Sequence, residues 1–222
     1  NGMGAVICGM GTDHLMIQGV KTLHDSLWKV AGDRIAAGTY CSGVMMAGGS
    51  ISLKEVIPEQ LEEPLILFQR AGAVVKRERE RLFICMKDRP DPLKISTGPY
   101  PGFPTDMQSL FMAFLSIAKG ESCITENVFE DRFGTAAELV KMGADITCQG
   151  KTAVIKGVPL LAGTKVRALD LRGAAALVMA ALGAEGSTII EDCYHIKRGY
   201  EDICRDLRAL GGRADWMESD TG

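Results

Sequence analysis

A chain of 222 residues with 46% hydrophobic content is long enough to bury a core of its own, which removes disorder as the default state. Its formal charge of −3 comes from acids and bases mixed along the whole length, and the one dense charged stretch, Lys76 to Arg81, is too short to form a nucleic-acid surface. No apolar run reaches the length of a membrane span, and seven scattered cysteines without CxxC spacing argue against a disulfide framework and for a reducing, cytoplasmic setting.

His14, His24 and His195 sit in no metal-ligand spacing, so no metal and no cofactor are expected. The cysteines fall mostly within apolar runs, where a free thiol acts as a small core side chain.

Sliding the sequence along itself shows a repeat. Gly4-Ala5, Gly72-Ala73, Gly143-Ala144 and Gly211-Gly212 recur at a period of roughly 70 residues, each preceded by a helix-like stretch and followed by an apolar strand. In chain order, Leu15-Met16-Ile17 reads as a short strand. Asp33 stands immediately ahead of a helix and reads as its N-cap. Lys76 to Arg81 reads as a solvated hairpin turn leading into the strand Leu82 to Met86.

Pro99-Tyr100-Pro101-Gly102-Phe103-Pro104 is a stiff segment that presents the next helix start at a fixed place. There Thr105 reads as the cap, with Gln108 completing a capping box. Further on, Ala153-Val154-Ile155 reads as a strand, and Asp170 caps the helix Leu171 to Ala184, which is apolar on every face and therefore buried. A strand over Ser187 to Glu191, an amphipathic helix over Gly199 to Leu210 and a strand after Gly212 close the last unit. Three helix, strand, helix, strands units about a common axis predict one α/β domain.

Residues that break the repeat are the candidates for chemistry. Asp106 is not needed as a cap. An acid in a first helical turn ordinarily complements the helix dipole, but one on a rigid loop could also take a proton from a hydroxyl. Arg132 and Arg198 occupy matching loops just before second helices, where the first unit has only Lys54 to Glu59. With Arg172 near a third helix start they predict an anion site if the units converge on one mouth, surface salt bridges being the ordinary alternative.

Four runs carry a family resemblance: Pro101-Gly102-Phe103-Pro104-Thr105-Asp106-Met107-Gln108, Glu126-Asn127-Val128-Phe129-Glu130-Asp131-Arg132-Phe133, Asp170-Leu171-Arg172, and Tyr194-His195-Ile196-Lys197-Arg198-Gly199-Tyr200-Glu201. Collinearly, over essentially the whole chain, they resemble UDP-N-acetylglucosamine 1-carboxyvinyltransferases of the enolpyruvyl transferase family. The resemblance implies an inside-out α/β barrel of three repeated units. It also implies transfer of the enolpyruvyl group from phosphoenolpyruvate to the 3-hydroxyl of UDP-N-acetylglucosamine, the first committed step toward peptidoglycan.

Carried onto matching positions, Asp106 would be the base at the sugar hydroxyl, and Val128 with Phe129 would contact the nucleotide sugar. Arg198 would hold phosphoenolpyruvate, Arg132 and Arg172 would serve its carboxylate and the charged intermediate, and Asp170 would be a catalytic acid beside them. Residues 1–30 would be remnant strands of a missing first domain and 31–222 the second domain, with an unpaired sheet edge near its end. The family's first half would be a partner, and this chain alone would be inactive. Two alternatives stay open: the shikimate-pathway enolpyruvyl transferase, and a non-catalytic fragment or paralog that only binds a ligand or partner.

Overall fold

A computed structural model describes residues 1–217, in two compact units, Asn1–Ala31 and Gly32 onward. The first unit is an antiparallel hairpin of β1 (Val6–Cys8) and β2 (Met16–Gln18). The Asn1 side chain both donates to Ile7 O and accepts from Ile7 N–H, at 2.8 Å each, and so pairs with the backbone like a further strand residue.

The second unit runs α1 (Arg34–Ala47), β3 (Gly49–Lys54), a 3₁₀ turn Pro58–Leu61, α2 (Glu62–Arg70), β4 (Val74–Glu78) and β5 (Arg81–Met86). It continues with β6 (Lys94–Ser96), a 3₁₀ turn Thr105–Met107, α3 (Gln108–Leu115), β7 (Glu121–Thr125), α4 (Gly134–Lys141), β8 (Asp145–Gln149) and β9 (Thr152–Lys156). Last come β10 (Lys165–Arg167), α5 (Leu171–Leu182), β11 (Ile189–Glu191), a 3₁₀ turn Cys193–Arg198 and α6 (Ile203–Ala209).

The repeat is visible in the pairing. Sheet β6-β7-β9-β8 contains the order of sheet β3-β5-β4, and the parallel pair β10-β11 repeats the parallel pair β6-β7. Helices α1, α3 and α5 pack on one another in the middle, and each larger sheet turns one face toward them, with Leu82, Ile84, Ile124, Ala153 and Ile155 all inaccessible to solvent. Helices inside and sheets outside make the inside-out barrel that the three repeated units predict.

The recurring glycines end the second helices. Gly72, Gly143 and Gly211 have φ of 102°, 93° and 91°, a conformation that only glycine adopts without a Cβ penalty. In each case the next residue donates back five positions, Ala73 to Phe68 O, Ala144 to Leu139 O and Gly212 to Leu207 O. This closure turns the chain sharply into the following segment. Where the central helices meet, Gly43 of α1 faces Met179 of α5 so closely that an added Cβ would lie 2.8 Å from its sulfur.

Both expected acidic caps are present. Asp33 accepts from the N–H groups of Ile35 and Ala36, and Asp170 from those of Arg172 and Gly173 at 2.8 Å each. Replacing Asp170 by Ala leaves those donors without a partner and is expected to lower the stability read from urea unfolding by about 1 kcal/mol; an unchanged midpoint would show that water caps the helix equally well.

Other expectations need correction. Thr105 caps nothing: Pro104 holds the N-cap position of its turn with no side-chain cap bond, and the Thr105 hydroxyl is drawn away to Glu126. Lys76 to Glu78 belong to β4, so the hairpin turn is only Arg79-Glu80. No strand forms over the described residues after Gly212, up to Met217. Cys41 and Cys204 are buried, but Cys8 and Cys148 are exposed and are not core residues.

Helix α3, rather than α5, is buried at every position. On α5, Ala181 and Leu182 are only half-buried, because they border a groove of about 610 Å³ also lined by Val44, Leu207 and Leu210. β11 pairs on one side only, with β10, among the described residues. Among those residues no helix is long and apolar enough to cross a membrane.

Candidate active site

The starts of α3, α4 and α5 bring three of the sequence candidates together. Asp106, in the turn before α3, is bound by two guanidinium groups: Arg132 Nη2 is 3.1 Å from Oδ1 and Arg172 Nη2 is 3.4 Å from Oδ2. One arginine comes from the loop after β7 and the other from the first turn of α5, so separate repeat units meet on this carboxylate. An ionised carboxylate has about four acceptor positions, so each oxygen retains capacity for a further donor. The Asp106 side chain is 41% exposed, and the two arginine side chains are 26% and 18% exposed, so the cluster opens to solvent while its cations are largely enclosed.

Phe129 lies against this cluster, with the Arg132 guanidinium 5.3 Å from its ring centre. Val128 and Phe129 are both exposed, although their backbone N–H groups are firmly bound. Asp170 is adjacent in sequence, but its carboxylate is occupied by the cap of α5. Arg198 ends the last 3₁₀ turn, is exposed, and its side chain makes no hydrogen bond or ion pair among the described residues. The side chains of Asp106, Phe129, Arg132 and Arg172 thus form one contact cluster; Asp170 meets it only through the backbone N–H of Arg172, and the Val128 and Arg198 side chains make none of its polar contacts. The groove beside α5 and a concavity of about 260 Å³ lined by Ser52, Lys76 and Phe83 are elsewhere, with none of the cluster in their walls.

Two buried groups beside the cluster were not singled out from the sequence. The first is Tyr200, whose hydroxyl lies 2.6 Å from the Thr39 hydroxyl, a contact in which either oxygen can be the donor. Burial pushes that phenol above its ordinary value, while Thr39 and Arg172 act in the opposite direction. The second is Glu126, just after β7, which is 1% exposed. Burial pushes its carboxyl up, but hydrogen bonds from Thr97, Val128 N–H, Thr105 and Phe129 N–H outweigh this and hold it below the usual carboxylate range.

A carboxyl lowered by folding adds stability above its unfolded value, and that stability is lost as pH falls through the folded one. The advantage of wild type over Glu126→Gln in urea unfolding is therefore expected to be largest at neutral pH and to vanish on acidification through and below the carboxylate range. A difference independent of pH would mean that the Glu126 charge does not contribute.

The signal for Glu126 was present in the alternation of the preceding strand. Ser122 and Ile124 point inward, and a period of two places residue 126 on the same side. An acid at an inward position calls for partners.

The family model of EPSP synthase (3-phosphoshikimate 1-carboxyvinyltransferase) matches residues 1–207. A UDP-N-acetylglucosamine 1-carboxyvinyltransferase of Aeromonas hydrophila is 45% identical over 216 residues, 97% of this chain and 52% of that protein. UDP-N-acetylglucosamine 1-carboxyvinyltransferase 2 of Caldanaerobacter subterraneus is 45% identical over 212 residues, 95% of this chain and 51% of its own length. The chain therefore spans about half the length of the curated relatives it matches. Among solved structures, the enolpyruvyl transferase NikO from Streptomyces tendae superimposes with a TM-score of 0.84 at 27% identity, covering 95% of this chain and 51% of that one. An EPSP synthase from Acinetobacter baumannii shares the fold at a TM-score of 0.56 and 20% identity over 73% of this chain. With the repeat, the inside-out arrangement and the match along nearly its whole length, the chain belongs to the EPSP synthase family of enolpyruvyl transferases.

Proposed function

We propose that this chain supplies the second domain, residues 31–222, of an enzyme that transfers the enolpyruvyl group of phosphoenolpyruvate to the 3-hydroxyl of UDP-N-acetylglucosamine, with residues 1–30 belonging to the preceding domain. The observation that carries the reading is the convergence of Arg132 and Arg172 on Asp106 at the start of a fully buried helix. A carboxylate can take the proton of the sugar hydroxyl as the oxygen adds to the enol carbon, while the methylene carbon of phosphoenolpyruvate takes up a proton and becomes a methyl group. Two fixed guanidinium groups beside it suit the negative charge of the tetrahedral phospho-ketal, which then loses phosphate and a proton from its methyl carbon to leave the enolpyruvyl ether.

In this reading Val128 and Phe129 contact the nucleotide sugar. The Arg198 side chain, exposed and without a partner among the described residues, is available to hold phosphoenolpyruvate, and Asp170 acts by fixing the first turn of α5 that carries Arg172. The reaction is the first committed step toward peptidoglycan and takes place in the cytoplasm. The nucleotide sugar is favoured over a shikimate acceptor because relatives named for it are 45% identical over nearly the whole chain, against 20% for the EPSP synthase structure.

The protein to test is a chimera in which this chain follows the first half of the Aeromonas hydrophila relative. UDP-N-acetylglucosamine is expected to slow hydrogen exchange in residues 126–132 of the chimera, and shikimate 3-phosphate to leave it unchanged. Protection by the shikimate ester alone would transfer the assignment to the other acceptor.

A further inference from the structure

Glu126 is a buried carboxylate with no cation against it among the described residues, and its partners come from three segments. Oε1 accepts from Thr97 Oγ1 at 2.8 Å, Val128 N–H at 2.8 Å and Phe129 N–H at 3.2 Å. Oε2 accepts from Thr105 Oγ1 at 2.8 Å. Four donors thus match the about four acceptor positions of a carboxylate, which is how an unpaired buried charge is accommodated. Thr97 follows β6 and also accepts from Asn127 N–H at 2.8 Å. Thr105 immediately precedes Asp106.

The consequence is local. A loop whose side chains Val128 and Phe129 face solvent has its backbone fixed from beneath, and the same anion fixes the turn that presents Asp106. Exposed apolar side chains on a rigid backbone are what a preformed contact surface requires, since little ordering is left to occur on binding.

We infer that Glu126 is a positioning residue that locks the Val128–Arg132 loop to the Asp106 turn, setting the distance between the nucleotide-sugar contacts and the base. The inference rests on the proposed function for the identity of the ligand, and on the geometry alone for the lock. Glu126 does not touch substrate; it acts through Val128, Phe129 and Thr105.

The variants separate its parts. Glu126→Ala removes all four bonds. Glu126→Gln keeps one oxygen for the backbone donors and can donate to Thr105, so it is the conservative rescue. Thr105→Val cuts only the link to the Asp106 turn.

In the 222-residue chain, Glu126→Ala is expected to speed amide exchange at Val128 and Phe129 by about 100-fold, with Glu126→Gln within about tenfold of wild type. In the chimera, Glu126→Ala is expected to raise the KM for UDP-N-acetylglucosamine about tenfold while the KM for phosphoenolpyruvate stays within about twofold. Thr105→Val, with wild-type melting behaviour, is expected to lower kcat about tenfold by releasing the base.

Unchanged exchange at both amides in folded Glu126→Ala overturns the inference. So does an equal rise in both KM values, which marks a general loss of structure. If Glu126→Ala does not fold, wild-type kcat in Thr105→Val overturns it and the tenfold loss upholds it. A parent chimera that releases no phosphate with UDP-N-acetylglucosamine contradicts the proposed function, and the exchange results then still decide the lock.

Discussion

Replacing Asp106 by Asn is expected to lower kcat of the chimera by about 10³-fold, within the range that a general base contributes. Asn has nearly the shape of Asp but takes up no proton at neutral pH, so the substitution removes the chemistry and leaves the packing. The interactions lost from the ground state are weak in their effect on folding. Both ion pairs of Asp106 are partly exposed, and pairs of this kind contribute only about 0 to 1 kcal/mol to stability. Thermal unfolding of Asp106→Asn should therefore overlay that of wild type. A large fall in melting temperature would instead make Asp106 a structural partner of Arg132 and Arg172.

The second large effect concerns the core beneath this site. Phe111 lies in the middle of α3, fully buried, with its ring centre 4.7 Å from those of Phe68, Phe103 and Phe114. Phe68 belongs to α2 and Phe103 to the stiff segment before Asp106, so this one ring ties two repeat units to the loop that presents the carboxylate. Phe111→Ala leaves a cavity that helices packed from three directions cannot close, at an expected cost of about 3–5 kcal/mol in urea unfolding. Because the Asp106 turn rests on Phe103, activity should fall in the same variant even below its melting temperature. A loss smaller than about 1 kcal/mol would show that the neighbouring side chains collapse into the space.

What the sequence made legible was mostly local. The recurring glycines marked helix ends because their left-handed backbone is a property of single positions. Asp33 and Asp170 were readable as caps because a cap and its donors are two or three residues apart. Thr105 followed the same rule and failed it, because Glu126, 21 residues later, offers a buried anion that competes for its hydroxyl. The apolar faces of α5 mark it as buried, and most of it is, but composition does not show what lies beside a helix, and Ala181 and Leu182 border a groove.

The candidate site was legible in part for the same reason. Asp106 stood out by departing from the repeat, Arg132 by a loop without a counterpart in the first unit, and Arg172 by its place near a helix start, and convergence of the units brought them into contact. Glu126 and Tyr200 are buried just outside elements, Glu126 after β7 and Tyr200 between the last 3₁₀ turn and α6, and nothing in the comparison of units distinguished them. The left-handed acids Glu55 and Asp192, directly after the matching strands β3 and β11, are a repeat feature of backbone conformation that residue identity alone does not show.

The most direct test of the account is phosphate release from phosphoenolpyruvate by the chimera, with UDP-N-acetylglucosamine or shikimate 3-phosphate as acceptor, beside Asp106→Asn. The account predicts release with the nucleotide sugar, none with the shikimate ester, and loss of release in the variant. Undiminished release in Asp106→Asn, or silence with the nucleotide sugar in a folded chimera, would contradict it.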